Sequence, residues 1–153
     1  MLLGVISDTH GLLRPAALEA LRASAMIIHA GDVGKPEILA KLRDIAPLVA
    51  VRGNIDTQPW ARLLPASTVV SATHHKILVL HDLSELAVDP VAAGLAAIVF
   101  GHSHKPSIDK RAGILYLNPG SAGPRRFRLP VTLAHLNVSR ASLEAEIISL
   151  PIS

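Results

Sequence analysis

Five short polar motifs in this 153-residue chain carry residue types that bind metal ions. They are Asp8-x-His10, Gly31-Asp32, Gly53-Asn54, His81 and Gly101-His102-x-His104. Carboxylate, amide and imidazole groups without any cysteine thiolate suit manganese, zinc, iron, nickel or magnesium. Seven such ligands shared by two ions would leave coordination positions open, which indicates catalysis rather than structural support. The motifs therefore predict a dinuclear catalytic metal site.

Each motif follows a short apolar segment that is typical of a buried strand. The predicted strands that precede the motifs cover residues 2–7, 26–30, 48–51, 76–80 and 97–100. Because ligand sites form where the carboxyl ends of strands meet in an α/β sheet, we expect the motifs to share one crevice. An alternative reading stays open, in which Asp8 and Asp32 are helix N-caps and the histidines are hydrogen-bonded groups at a sheet edge.

The order of the elements predicts an α/β fold. Helices are expected to begin at Pro15 and Pro36, between the first three strands, and this β-α-β-α-β order implies parallel strands with right-handed crossovers. The rest of the chain contains mainly strand-like segments, at residues 68–73, 76–80, 97–100, 114–117, 131–138 and 143–150. So many short strands predict two mixed sheets packed face to face with helices outside, within a single domain over residues 1–153.

The composition excludes several classes of protein. Half of the residues are apolar and 3% are aromatic, so the core must be aliphatic. The absence of cysteine excludes a disulfide framework and a thiolate metal site. A net charge of +3 without a concentrated basic stripe makes a nucleic-acid partner larger than a small nucleotide unexpected. The N-terminal segment lacks the basic start of a secretory signal, and no apolar stretch is long enough to span a membrane, so we expect a cytoplasmic protein.

The metal-binding motifs, together with Asn118-Pro119-Gly120-Ser121, resemble those of the calcineurin-like metallophosphoesterase superfamily, in particular its small prokaryotic phosphodiesterases. The resemblance extends from Leu3 to about Arg125 and implies a four-layer α-β-β-α sandwich. It implies two divalent ions per chain, with manganese expected and nickel, zinc, iron or magnesium as alternatives. By position, Asp32 would bridge the ions. The remaining ligands would be Asp8, His10 and His104 for the first ion, and Asn54, His81 and His102 for the second.

The same resemblance implies hydrolysis of a small phosphate diester through in-line attack by a metal-bridging hydroxide. Asp32, Asn54 and His81 would be the catalytic residues, and Asn54 would also bind the phosphate. Arg52 and Arg125 are further candidates for substrate binding, with surface ion pairs as the alternative for both arginines.

Two residues depart from the family pattern. Monoesterases of the superfamily carry a histidine after the Gly-Asn motif as a general acid, whereas this chain has Ile55. The substitution favours diesters and activated aryl esters over monoesters. Glycine usually follows the histidine that corresponds to His81, whereas this chain has Asp82. We expect Asp82 to reshape the substrate loop, with a contact to a metal ligand as the alternative. The acidic residue Asp56 is expected to orient a neighbouring ligand.

The other histidines are expected to be structural. His29 is predicted to be a buried, hydrogen-bonded core residue, His74 and His75 to form a solvated turn, and His135 to lie in a strand.

An alternative function is a non-catalytic metal-binding scaffold for protein interaction, for which the eukaryotic retromer subunit of this fold is the precedent. The apolar pair Leu63-Leu64 and the segment 150–152 are candidates for a homodimer interface.

Overall fold

The computed structural model describes residues 1–152 and contains two five-stranded sheets and two short α-helices. The elements are β1 (Leu2–Ile6), α1 (Pro15–Leu21), β2 (Met26–His29), α2 (Pro36–Arg43), β3 (Leu48–Ala50), β4 (Ser67–Ala72), β5 (His75–Leu80), β6 (Leu95–Val99), β7 (Ser107–Arg111), β8 (Ile114–Asn118), β9 (Thr132–Val138) and β10 (Leu143–Ser149). Two one-turn 3-10 segments, Pro59–Leu63 and Leu83–Glu85, lie in the connections.

Both sheets mix parallel and antiparallel pairs, as the sequence predicts. The first sheet has the order β10-β9-β1-β2-β3, in which β1, β2 and β3 are parallel and β9 and β10 are antiparallel. The second sheet has the order β4-β5-β6-β8-β7, with β5, β6 and β8 parallel. The carboxyl ends of β1, β2, β3, β5 and β6 therefore carry the five motifs, each just beyond its strand.

The aliphatic core lies in two layers. Leu3, Val5 and Ile28 of the first sheet pack between the sheets against Val79 and Val99 of the second. The opposite face of the first sheet is covered by α1 and α2, which each begin at a proline whose missing N–H costs no helical hydrogen bond. Among the described residues, no helix has the length and apolar character needed to cross a membrane.

The outer face of the second sheet has little helical cover. Leu78, Leu80 and Ile98 on that face pack against Leu83 and Phe100 in the connecting segments. Within residues 1–152 the fourth layer of the expected α-β-β-α sandwich is thus one 3-10 turn, Leu83–Glu85, with its flanking loop rather than an α-helix. The connection from β5 to β6 contains Asp89-Pro90 and ends at Gly94, and this composition favours turns over a helix.

Strand β7 is absent from the sequence prediction. All five of its residues are exposed, and it pairs antiparallel with the fully buried strand β8 through a turn at Ala112-Gly113. An edge strand of this kind shows no apolar alternation, so a search for hydrophobic periodicity cannot detect it. The turn predicted at His74 and His75 lies one residue earlier, at Thr73-His74 between β4 and β5, and His75 is the first residue of β5.

The two apolar segments predicted as a dimer interface are buried only in part. Leu64 and Leu150 are both buried in the layer beneath the helices. Leu63 is 88% exposed, Ile152 is 39% exposed and Pro151 is exposed as well, so these three residues offer apolar surface to a partner. The two segments are therefore poorer interface candidates than their sequences suggest, because half of each apolar pair already contributes to the core.

The burial pattern predicts that truncating two different isoleucines to alanine lowers the free energy of unfolding by very different amounts. We expect Ile28→Ala to lower the free energy of unfolding by about 2–5 kcal/mol, because Ile28 is fully buried between the sheets. Ile108→Ala on β7 is the matched control, since Ile108 is 46% exposed. Urea unfolding followed by circular dichroism measures both values. Equal losses in the two variants would contradict the assigned core.

Candidate metal centre

The carboxylates of Asp8 and Asp32 lie among three histidine rings at the carboxyl edge of the sheets. Asp8 Oδ1 is 3.8 Å from Nε2 of His10, 3.8 Å from Nε2 of His81 and 3.4 Å from Nε2 of His104. Asp32 Oδ2 is 3.4 Å from His10 Nε2 and 3.2 Å from His81 Nε2. All three nitrogens thus face carboxylate oxygens across gaps of a few ångströms.

These side chains form two groups whose ligand atoms lie within 4.8 Å of one another. One group is Asp8, His10 and His104, the trio that the resemblance assigns to the first ion. The other is Asp8, Asp32 and His81, so Asp8 is common to both groups. Asp32 Oδ2 lies between His10 and His81, one from each group, which is the location that a bridging carboxylate needs.

The polar atoms of this cluster lack partners where a metal ion would supply one. Among the described residues, Asp8 Oδ1, His10 Nε2 and His81 Nε2 are buried and make no hydrogen bond. His81 Nδ1 bonds the carbonyl of Ala30 at 2.8 Å and must donate to it, which leaves Nε2 as the atom free to bind a cation. Buried polar groups are rarely left unpaired, so the donor set fits a divalent cation.

Asn54 and His102 adjoin the cluster on the side of His81. Asn54 Oδ1 is 3.2 Å from His102 Nδ1, and the His102 ring packs edge-on against the His81 ring with centroids 5.2 Å apart. Both side chains are exposed, unlike Asp8 and Asp32. All seven sequence-predicted ligands therefore meet at one edge, and the assignment of Asn54 and His102 to the second ion stays a prediction.

The backbone at five of these residues is left-handed. Asp8, His10, Asp32, His102 and His104 have φ values between 47° and 73°, a region that residues other than glycine adopt rarely. Such strain costs about 1–3 kcal/mol per residue and persists only where the surroundings impose it. These five residues lie in the turns after β1, β2 and β6, where the chain reverses beside the shared centre. Apolar periodicity contains no signal for this geometry.

Hydrogen bonds orient the two carboxylates. Asp8 Oδ2 accepts from Ser7 Oγ at 2.7 Å and from the backbone N–H of His102 at 3.1 Å, which leaves Oδ1 directed at the histidines. Asp32 Oδ1 accepts from the N–H of Ile55 at 3.1 Å, which leaves Oδ2 free in the same way. Each carboxylate thus has one oxygen engaged by the protein and one available to a cation.

Asp56 joins the loops that follow β2 and β3. Its buried carboxylate accepts from the backbone N–H groups of Val33, Gly34 and Gly53 at 2.8–3.0 Å. Gly53 is in contact with Asp32, and any side chain at position 53 would clash with that carboxylate. The expected role of Asp56 in orienting a neighbouring ligand therefore agrees with its contacts.

His29 is the buried core histidine that the sequence predicts, but it also links two ligand loops. Its Nδ1 accepts from the N–H of Gly31 at 3.1 Å, and its Nε2 lies 3.0 Å from Thr9 Oγ1. Because the Thr9 hydroxyl donates to the carbonyl of Val33, His29 Nε2 must be the donor to Thr9. This pattern requires the neutral ring, and burial lowers the pKa of His29 to about 4.

The end of β8 and the turn that follows it make hydrogen bonds to the loops that carry the predicted ligands. Asn118 donates to the carbonyl of Gly101 at 3.1 Å and to Ser103 Oγ at 3.2 Å, beside His102 and His104. Ser121 donates to the carbonyl of Asp8 at 2.9 Å. The Asn118-Pro119-Gly120-Ser121 turn thus holds the backbone of Asp8 and of Gly101, next to the predicted ligand His102.

The electrostatics keep Asp32 ionised. Burial raises the pKa of Asp32, but its contacts with His81 and with the N–H of Ile55 outweigh burial, so the pKa lies below its usual value. For His81, burial lowers the pKa, but Asp32 and Asp8 outweigh burial and raise it. Burial lowers the pKa of His104, and the charge of Arg126 contributes in the same direction. The carboxylates thus attract positive charge to this location.

The chain matches the family model described as calcineurin-like phosphoesterase superfamily domain over residues 1–141. The chain belongs to this superfamily. A probable metallophosphoesterase of Methanocaldococcus jannaschii is 37% identical, with 98% of this chain and 82% of the relative covered. The phosphodiesterase YfcE of Escherichia coli is 28% identical, with 75% of this chain and 76% of the relative covered.

Solved structures share the fold. A structure titled as a novel archaeal phosphodiesterase matches with a TM-score of 0.79 at 20% identity, covering 97% of this chain and 100% of the other. Vps29 of Chaetomium thermophilum matches with a TM-score of 0.78 at 18% identity, covering 99% and 100%. Proteins with different names thus share this architecture, and the site residues must decide the chemistry.

Ile55 and Asp82, the two residues that depart from the superfamily pattern, both lie next to predicted metal ligands. Ile55 is 41% exposed, and its backbone rather than its side chain contacts Asp32. Asp82 caps the 3-10 turn Leu83–Glu85 by accepting from Ser84, which agrees with the expected effect on the loop. Its second oxygen lies 3.8 Å from His102 Nε2, so the alternative contact with a metal ligand is present as well.

The two arginines chosen from the sequence differ in location. Arg52 lines the cavity beside Asn54 and His81, and its guanidinium donates to the carbonyl of Leu64 at 2.5 Å rather than to a surface carboxylate. Arg125 is exposed and has no hydrogen bond or ion pair with the rest of residues 1–152, so its role stays a prediction. Its neighbour Arg126 is the arginine whose charge affects His104, and sequence reasoning did not single it out.

The neutral state of His29 predicts acid sensitivity. The folded-state pKa of about 4 lies below the ordinary value of 6.5, so the unfolded chain binds the proton first as the pH falls. The free energy of unfolding should decrease by about 3 kcal/mol between pH 6.5 and 4 through this group.

His29→Gln should flatten the pH dependence of stability in that window, as measured by urea unfolding at fixed metal concentration. His135→Gln is the matched control, because His135 lies on β9 and bonds the carbonyl of Ala20 away from the centre. The account of His29 fails if the wild-type protein and His29→Gln lose stability in parallel.

Proposed function

We propose that the chain is a dinuclear metal-dependent phosphodiesterase. The observation that carries the proposal is the convergence of Asp8 Oδ1, His10 Nε2 and His81 Nε2, which are buried and free of hydrogen bonds within the described residues. The ligands of two ions would be Asp8, His10, Asp32, Asn54, His81, His102 and His104. When bound, the ions would supply an activated water as nucleophile and would neutralise charge on the phosphate oxygens.

The residues of the chain have separate tasks in this proposal. Asp32 holds one ionised oxygen between the histidines of both groups, and Asp8, just beyond β1, directs Oδ1 at the same histidines and at His104. Asn54 offers an amide N–H to a phosphate oxygen while its carbonyl oxygen faces His102. Arg52, at the rim of the cavity, offers the guanidinium donors that Leu64 leaves free. These groups orient the diester for in-line displacement.

The substrate is proposed to be a small phosphate diester. Ile55 offers no proton to a departing alkoxide at the position where superfamily monoesterases carry a histidine, so good leaving groups should be cleaved best. Manganese is the proposed metal, because oxygen and imidazole ligands without thiolate suit it. A cytoplasmic location is part of the same proposal, and a nucleic acid would be a substrate only as a small nucleotide.

A second candidate is a metal-binding scaffold for another protein. The likeness of the fold to Vps29 favours this candidate, because Vps29 is named as a sorting protein in one of the similar structures. The complete set of seven ligand-type residues and their supporting hydrogen bonds favours the enzyme. A scaffold does not need strained turns that aim ligands at one point.

The proposal predicts a metal-dependent activity that can be measured directly. The purified protein should hydrolyse bis(p-nitrophenyl) phosphate with Mn²⁺, and Asp32→Ala or Asn54→Ala should lower kcat/KM by about a hundredfold or more. Asp44→Ala is the matched control, since Asp44 is exposed at the end of α2. Absence of turnover with every divalent metal, in folded and metal-loaded protein, would reject the enzyme and favour the scaffold.

The choice of diester over monoester depends on Ile55. The wild-type protein should hydrolyse bis(p-nitrophenyl) phosphate faster than alkyl phosphate monoesters, and Ile55→His should raise the monoester rate by about tenfold or more through an added proton donor. Ile55→Gln is the matched control, because it is polar without being a comparable acid. An equal gain in Ile55→Gln would show that polarity rather than proton donation changes the rate.

A further inference from the structure

A cavity of about 280 Å³ opens beside the metal centre on the side of Asn54 and His81. It is lined by Arg52, Gly53, Asn54, Ala66, His81, Asp82 and Glu85. The His81 side chain is 5% exposed, and its Nε2 makes no hydrogen bond within residues 1–152. The cavity therefore leads directly to the atoms that would hold the phosphate, and it has room for a substituent of that phosphate.

One wall of the cavity is anionic. Asp82 precedes the 3-10 turn Leu83–Glu85 and Glu85 ends it. Ser84 fixes Asp82 by donating from its N–H at 3.0 Å and from its hydroxyl at 2.8 Å. These two hydrogen bonds hold Asp82 Oδ1 at the turn, and Asp82 Oδ2 lies 3.8 Å from His102 Nε2 at the edge of the metal centre. Arg52 supplies the one cation among the lining residues, and the carbonyl of Leu64 already accepts from it.

We propose that Asp82 and Glu85 select phosphate diesters in which one alcohol carries a positive charge, such as a quaternary ammonium group. The proposal rests on the proposed function and specifies its substrate class. The diester phosphate is a monoanion that the bound metal ions and Arg52 would attract, whereas a substituent in the cavity meets the two carboxylates. A cationic substituent gains from that contact and an anionic one is repelled.

The carboxylates of Asp82 and Glu85 also disfavour phosphate monoesters. This effect adds to the absence of a proton donor at position 55. A phosphate monoester carries a second negative charge near neutral pH, which the carboxylates of Asp82 and Glu85 oppose. The effect of each carboxylate should be modest, because solvent reaches the turn and screens the interaction. Exposed charge pairs change an equilibrium by about two- to fivefold each.

The experiment compares two esters of the same shape and different charge. They are p-nitrophenyl phosphorylcholine, whose alcohol substituent is a cation, and 3,3-dimethylbutyl p-nitrophenyl phosphate, whose substituent has the same shape without the charge. The metal-loaded protein should show about five- to tenfold higher kcat/KM for the choline ester, and added salt should reduce the ratio. Calorimetric titration with phosphocholine and with 3,3-dimethylbutyl phosphate should give the same preference in Kd, independently of turnover.

The variants Asp82→Asn and Glu85→Gln should each lower the ratio of the two kcat/KM values by about two- to fivefold. Glu144→Gln is the matched control, since Glu144 is exposed on β10 and pairs with Asn137, near the amino-terminal end of β1. Equal kcat/KM for the two esters in the wild-type protein would overturn the inference, and so would a preference that both variants retain. Failure to hydrolyse either ester with any metal would instead contradict the proposed function.

Discussion

The metal centre depends on two buried carboxylates whose oxygens face histidine nitrogens at distances of 3.2–3.8 Å. Asp8 and Asp32 each use one oxygen within the protein and direct the other at His10 and His81. Buried negative charge is costly unless a cation or donor compensates it. A divalent ion satisfies the carboxylates and the imidazoles together, so the cluster is the feature that the surrounding loops are built to hold.

The surrounding structure offsets the strain of that arrangement. Left-handed turns at the strand ends are unfavourable by themselves, and they are stabilised by backbone contacts from outside the cluster. Asp56 links the loops after β2 and β3 by hydrogen bonds, and His29 links the loops after β1 and β2 in the same way. Asn118 bonds the backbone of Gly101, at the start of the Gly101-His102-x-His104 motif. Beneath them, aliphatic side chains fill the space between the sheets and give these loops rigid strands from which to extend.

The function of a protein with this fold depends on the side chains at the carboxyl ends of the strands rather than on the sheets themselves. The archaeal phosphodiesterase and Vps29 match this chain almost equally well in overall shape. Specificity is proposed to come from short segments around the centre, where Ile55 replaces a proton donor and Asp82 begins an acidic turn. Because the connection from β5 to β6 contains the short turn Leu83–Glu85 instead of a helix, residues of this connection line the cavity. A substitution in this connection therefore changes the surface that a substrate contacts.

The sequence by itself determined the α/β class, the two helices that begin at prolines and the convergence of the ligand residues at strand ends. These features depend on local apolar runs and on the rule that parallel strands end at a common edge. Strand β7, the missing outer helix, the left-handed turns and the link from His29 to Thr9 required the tertiary structure. Their physical cause is contact between residues distant in the chain: pairing with β8 makes an exposed segment a strand, and burial forces His29 to remain neutral between two loops.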